Sequence, residues 1–109
     1  MEVQAITKYV RISPEKARHV ARLIHGKSVN EALAICELSP RKAARLLGKT
    51  LKSAIANAEY KSMNRDNLVV KSAEVGPGPT MKRFIAKARG SAGRIRKRTS
   101  NFRIILTEQ

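Results

Sequence analysis

From Val75 to Thr107 the chain carries no acidic residue, and between Gly76 and Asn101 it has too few large apolar side chains to build a core of its own. Residues 81–109 hold nine basic side chains and one acidic, a net of +8 out of a total of +15, so more than half of the excess charge lies in about a quarter of the sequence. Such a segment cannot fold inward. It is flanked by two stretches of strand character, Leu68 to Val75 and the closing run in which Phe102, Ile104 and Leu106 alternate with Arg103, Ile105 and Thr107. If residues 68–107 form one antiparallel hairpin turning near Ala88–Gly93, each arm has roughly 18 residues and spans on the order of 60 Å at about 3.3 Å per residue. A compact domain of this size is only about 35 Å across. The tip must therefore project, and a two-stranded ribbon that is marginal in water needs a partner to order it.

The remainder reads as a small helical and stranded body. Residues 3–10 mix β-branched and aromatic residues with polar ones, as a strand does. Ser13-Pro14 is a helix-start signal, since proline at the first helical position gives up an N–H that would lack a partner there. Ala17, Val20, Ala21 and Ile24 then form one apolar stripe, with Lys16, Arg18 and Arg22 off it and Gly26 as the stop. Ser28 and Glu31 have the spacing of a capping box before a short helix carrying Val29, Ala32, Leu33 and Cys36. Ser39-Pro40 repeats the start signal for the longest helix, which runs to about Tyr60 and buries Ala44, Leu47, Leu51, Ala54, Ile55 and Ala58. Residues 61–67 read as a loop. The expected architecture is α+β: a small antiparallel sheet of about three strands packed against three helices, with a long projecting β-hairpin. It forms a single domain over 1–109, with 1–75 and 102–109 globular and about 76–101 extended.

Charge and composition narrow the function. The 23 Lys and Arg against 8 Asp and Glu repel one another in so short a chain, and a polyanion relieves that. Nucleic acid is favoured, because each phosphate neutralised also releases counterions. A membrane surface is disfavoured, since Trp is absent and the only aromatics are Tyr9, Tyr60, Phe84 and Phe102. The single cysteine, Cys36, cannot form an internal disulfide; it fits a reducing compartment and reads as a small core residue. The first residues lack the pattern of a signal peptide and no apolar run approaches membrane-spanning length, so a cytoplasmic location is expected. His19 and His25 have no ligand partners at metal spacing and read as helix-surface or RNA-facing side chains. Paired carboxylates, a Ser/His/Asp set and a phosphate loop are missing; the chain is expected to be no enzyme and to need no cofactor or metal.

The candidate contact residues are the cations of the ribbon, Arg94, Arg96, Lys97 and Arg98 on one arm and Lys82, Arg83, Lys87 and Arg89 on the other, together with Lys8, Arg11, Lys16 and Arg18 of the first strand and helix. Each meets phosphate as a point charge or, for arginine, as a two-pronged donor. Thr99 and Ser100 are candidate hydroxyl donors to phosphate. Gly90 and Gly93 give backbone freedom for an ordinary turn or for close approach to a neighbour. Phe84 either covers the opposite arm or stacks on a base. RNA shape and backbone are the expected target rather than base sequence. An architectural DNA-binding protein with β-arms is the alternative from another class; such proteins generally dimerise through a large apolar face, which here looks used up within one chain.

Several blocks, in order along essentially the whole chain, resemble the universal L-twenty-two family of large-subunit ribosomal proteins: Ser13-Pro-Glu-Lys-Ala-Arg18, Leu23-Ile-His-Gly-Lys27, Ser53-Ala-Ile-Ala-Asn-Ala-Glu59, Gly78-Pro-Thr-Met-Lys-Arg83, Ala88-Arg-Gly90 and Arg94-Ile-Arg-Lys-Arg-Thr-Ser100. The resemblance implies an α+β domain on the outer surface of the large subunit near the peptide exit, in contact with large-subunit ribosomal RNA and neighbouring ribosomal proteins, and no stable homo-oligomer is expected. It further implies a hairpin reaching inward, with Phe84, Ile85, Ala86, Ala88, Gly90, Ser91, Ala92 and Gly93 at a tip that lines the nascent-peptide tunnel and meets the nascent chain. Two stretches depart from the family pattern: Val75-Gly-Pro-Gly-Pro79 is neutral where acids are common, and Gly90-Ser-Ala-Gly-Arg94 lacks charges often present near the tip.

Overall fold

A strand with one apolar face and helices with one apolar stripe can hide both only against each other. In the computed structural model, which describes residues 2–78, 81–86, 92–97 and 99–109 (81–86 and 92–97 as backbone), three helices cover one face of a three-stranded antiparallel sheet. The elements in chain order are β1 (Glu2–Val10), α1 (Pro14–Ile24), α2 (Val29–Leu38), α3 (Lys42–Tyr60), β2 (Leu68–Pro77), β3 (Met81–Ala86), β4 (Ala92–Lys97) and β5 (Ser100–Glu108), with a 3-10 turn at Arg65–Asn67 inside the expected loop. The sheet order is β1-β5-β2, so the last strand is the central one, and it carries the alternation read from the sequence: Phe102, Ile104 and Leu106 are fully buried. They meet Val3 and Ala5 of β1, Leu68 and Val70 of β2, and the stripes of α1 and α3, every residue of which is buried as expected.

Both outer strands bulge against β5. In β1 the pairing shifts between Thr7 and Val10, and in β2 between Val70 and Ser72. Beyond the second bulge Ala73 and Val75 still face inward, packed on the core. Helix α3 runs antiparallel to β1, with Thr50 and Thr7 sharing a hydroxyl hydrogen bond of 2.9 Å and the Asn57 amide donating to the Gln4 carbonyl at 3.0 Å. Helix α1 runs antiparallel to β2: Arg18 Nε donates to the Val75 carbonyl at 3.3 Å near its start, and Gly26 N–H donates to the Val70 carbonyl just past its end. Gly26 holds φ at +78°, the left-handed value that ends a helix at little cost only in glycine.

Helix α3 does not start where Ser39-Pro40 predicts. Ser39 instead closes α2, its N–H donating to the Ile35 carbonyl, and its hydroxyl accepts from the Arg41 N–H at 3.3 Å. The helix then begins at Lys42, with Arg41 extended at the N-cap and no side-chain cap. At Ser28 the hydroxyl does accept from the Glu31 N–H, at 3.3 Å, the serine half of the expected box.

Past Pro77 and Ser100, which pair with each other, β3 and β4 continue as an antiparallel ribbon from Met81↔Lys97 to Ala86↔Ala92. At the neck Gly78 N–H donates to the Thr99 carbonyl at 2.9 Å, and a Cβ at Gly78 would lie 2.4 Å from Thr99 Oγ1, so a side chain there would have to displace the threonine hydroxyl. The molecule measures 62 × 25 × 16 Å with a radius of gyration of 16.9 Å, against about 13 Å for a compact chain of this length.

Candidate nucleic-acid interface

Because α1 and α3 both run away from the neck, both helix N-termini, the positive ends of their dipoles, lie at the end of the domain from which the ribbon leaves. The candidate cations of the body gather there. Lys8 sits on the β1 bulge and Arg11 just beyond β1; Lys16 and Arg18 lie in the first turns of α1, and all four are exposed. Lys42, at the start of α3, donates to the Arg11 carbonyl at 3.3 Å. Arg18 turns toward β2, where with Arg22, His25 and the Ala73–Val75 backbone it lines a cleft of about 310 Å³.

The opposite end collects acids. Glu2 begins β1, Glu59 is in the last turn of α3, Asp66 is in the 3-10 turn and Glu108 ends β5, where its carboxylate accepts from the Asn64 N–H at 3.0 Å. The ion pairs among the described residues lie on the uncovered sheet face: Glu2 with Lys71, and Glu74 with Arg103 at 2.6 Å. The Lys71 ammonium beside Glu2 holds its carboxyl below the ordinary value. At the neck end the carboxylates are Glu15, in the first turn of α1, and Glu74, which is paired with Arg103, so the four candidate cations outnumber them.

Two of the candidate phosphate donors are buried. Ser100 is fully buried and its hydroxyl donates to the Ile12 carbonyl at 2.7 Å, while Thr99 is only 3% exposed at the neck. A donor to phosphate has to reach the surface, and neither does in the free chain. Conversely, the sequence reading passed over Tyr9. Its β propensity marks it as a strand residue, but the bulge puts it at φ +61° with its N–H donating to Asn101 Oδ1 at 3.1 Å and its ring 64% exposed at the ribbon's root. A non-glycine residue held in that region is strained, and the exposed ring offers a flat face for a base. Arg22 is legible in the sequence only as a position off the apolar stripe, and His25 as a helix-surface or RNA-facing side chain; the α1–β2 packing sets both beside Arg18.

For Lys82, Arg83, Phe84, Ile85, Ala86, Ala92, Gly93, Arg94, Arg96 and Lys97 the structure gives the ribbon pairing alone, with Phe84 opposite Arg94 and Arg83 opposite Ile95. The expectations placed on Lys87, Ala88, Arg89, Gly90, Ser91 and Arg98 fall outside the described residues. Among the described residues no group of His, Cys, Asp and Glu could hold a metal ion and no helix is long and apolar enough to cross a membrane. His19 and His25 are exposed; Cys36 is buried, and burial pushes its thiol up from the ordinary value, which suits a packing residue rather than a reactive one.

Comparison with known proteins matches residues 5–107 to the family model for ribosomal protein L22p/L17e. The chain is 54% identical to large ribosomal subunit protein uL22 of Akkermansia muciniphila, covering all of this chain and 98% of that protein. It is 52% identical to uL22 of Halothermothrix orenii, covering all of this chain and 97% of the relative, and 48% identical to uL22 of Chloroflexus aggregans over the same shares. These ribosomal proteins are structural rather than enzymatic, and with a family match over nearly its whole length and full-length identity near one half, the chain belongs to the ribosomal protein L22p/L17e family.

Proposed function

We propose that this protein is a structural component of the large ribosomal subunit in the cytoplasm, that it binds large-subunit ribosomal RNA with the neck of its domain and with its basic ribbon, and that the ribbon's tip lines the nascent-peptide exit tunnel. The observation that carries the reading is the excess of positive charge at the ribbon end of the long axis. Cations Lys8, Arg11, Lys16 and Arg18, two helix N-termini and the acid-free ribbon stand at one end with Glu15, whereas at the other end Glu2, Glu59, Asp66 and Glu108 are set against Lys61, Arg65 and Lys71. A body charged this way enters RNA ribbon-first and leaves its charge-balanced end outward, toward solvent or neighbouring ribosomal proteins. On this reading, residues 84–93 meet the nascent chain and the tunnel wall, and the ribbon cations neutralise phosphates on either side.

The test is the salt dependence of binding to large-subunit ribosomal RNA. Replacing Arg94, Arg96, Lys97 and Arg98 by Ala is expected to weaken binding and to flatten the slope of log K against log salt by up to about 3, at roughly 0.7–0.9 per phosphate contact. An unchanged slope rejects the ribbon as an RNA contact. Measured at one fixed salt, tighter binding to duplex DNA than to structured RNA turns the assignment to an architectural DNA-binding protein.

A further inference from the structure

The basic residues on the flank of α3 start at the neck with Arg41 and run away from it along the side of the domain. Arg41, Arg45, Lys49 and Lys52 follow one another at intervals of four, four and three residues, which sets them in a row with neighbours about 5–6 Å apart. All four are exposed, and none is ion-paired among the described residues. The row edges a groove of about 540 Å³ between α2 and α3 with a floor that includes Leu33, Cys36 and Gly48. The floor is shallow because the helices touch: a Cβ on Gly48 would sit 3.3 Å from Cys36 Cβ. With Lys42 the lining holds five cations, against the single carboxylate of Glu37.

This arrangement works against the free chain. Like charges four apart on a helix repel, and cations crowded into the first half of α3 oppose its dipole, whose positive end is there. The first turn has no acid, the N-cap has no side-chain hydrogen bond, and Glu59 sits in the last turn near the negative end. A bound anion along the row offsets the crowding of the cations and the uncapped N-terminus at once.

We infer that the α2–α3 groove is a second RNA seat, in which one strand of RNA backbone follows the row from Arg41 to Lys52, phosphates on the cations and a ribose or base edge against Leu33 and Cys36. The inference rests on the ribosomal-RNA reading and extends it from the neck along the side of the domain. A strand of RNA fits better than an acidic protein segment: the cations recur at a regular interval, as phosphates do, and the floor lacks the deep aromatic or large aliphatic pocket that anchors a protein interface.

The test uses the full chain, a ribbon variant (Arg94, Arg96, Lys97 and Arg98 to Ala) and a groove variant (R45Q, K49Q, K52Q), each titrated with a large-subunit ribosomal RNA transcript over a range of salt. Glutamine keeps helix propensity, so the groove variant is expected to melt at or above the wild-type temperature. Its salt slope is expected to fall by about 2, three contacts at about 0.7 each for a single strand. A groove-variant slope equal to wild type, with the ribbon variant flattened, overturns the groove alone; equal slopes in all three overturn the ribosomal-RNA reading itself. A wild-type slope together with loss of a neighbouring protein from assembled large subunits overturns the RNA seat in favour of a protein contact.

Discussion

Ser100 is where the three strands of the sheet become a two-stranded ribbon: it pairs with Val10 on one side and Pro77 on the other, and its buried hydroxyl donates to the Ile12 carbonyl at 2.7 Å. The substitution Ser100→Ala removes that donor and little volume. It leaves the Ile12 carbonyl with one partner fewer in a site that water does not reach, which costs about 1–3 kcal/mol. With an unfolding entropy of about 2.1 cal/mol/K per residue, 109 residues give roughly 0.23 kcal/mol per degree, so the expected fall in Tm is about 4–13 °C. Far-UV circular dichroism melts of the full chain measure it, with Ser53→Ala as the control. That serine is exposed and its hydroxyl donates to the Lys49 carbonyl within α3, so its loss is expected to shift stability by no more than about 0.5 kcal/mol. RNA affinity of Ser100→Ala, measured well below its Tm, is expected to match wild type. The reverse pattern, an unchanged Tm and a weakened affinity, would refute the structural role and return this hydroxyl to the RNA.

Two further substitutions separate fold from function elsewhere. Tyr9→Asn puts a residue that tolerates the left-handed region at φ +61°, so Tm is expected to hold or to rise by a few degrees; loss of a stacking ring worth about 1–3 kcal/mol is expected to weaken RNA binding about 5- to 150-fold. A lowered Tm with unchanged affinity would show that the ring packs rather than stacks. For Cys36, burial raises the thiol above its ordinary value of 9.0, so the neutral form is the one the fold favours: its contribution is complete below that value and is lost as pH rises through the folded-state value. Urea unfolding at neutral and at alkaline pH is expected to show wild type losing more stability than Cys36→Ala across that interval; equal losses would mean that the thiol does not titrate differently in the two states.

What could be read in advance, and what could not, divides by the range of the forces involved. The α1 stripe Ala17, Val20, Ala21 and Ile24 and the β5 series Phe102, Ile104 and Leu106 are legible because burial on one face writes a period into adjacent residues. The start of α3 is not, because the Ser39-Pro40 signal is local while Ser39 is already engaged in closing α2. The bulges at Thr7–Val10 and Val70–Ser72 are set by pairing with a strand that lies some thirty residues further along in one case and some ninety in the other. Each adds a residue to an outer strand relative to β5. No property of Tyr9 alone foretells its positive φ; it follows from the register on either side.

The candidate interface shows the same limit in electrostatic form. Composition reveals the +15 excess and the acid-free ribbon, but it cannot sort cations into those that share a surface and those that do not. The sorting comes from topology. Because β5 is central and antiparallel to β1, Glu2 and Glu108, which are almost the whole chain apart, lie at one end of the sheet, while Lys8 and Arg11 fall at the other beside the neck. Because α1 and α3 each run antiparallel to the strand they cover, their positive ends reach that same neck without any sequence signal requiring it. Ribbon, neck cations and helix dipoles therefore add along one axis. The segment that most constrains the fold, too basic to be buried, is thus carried by the strand order that sets Lys8, Arg11, Lys16 and Arg18 behind it.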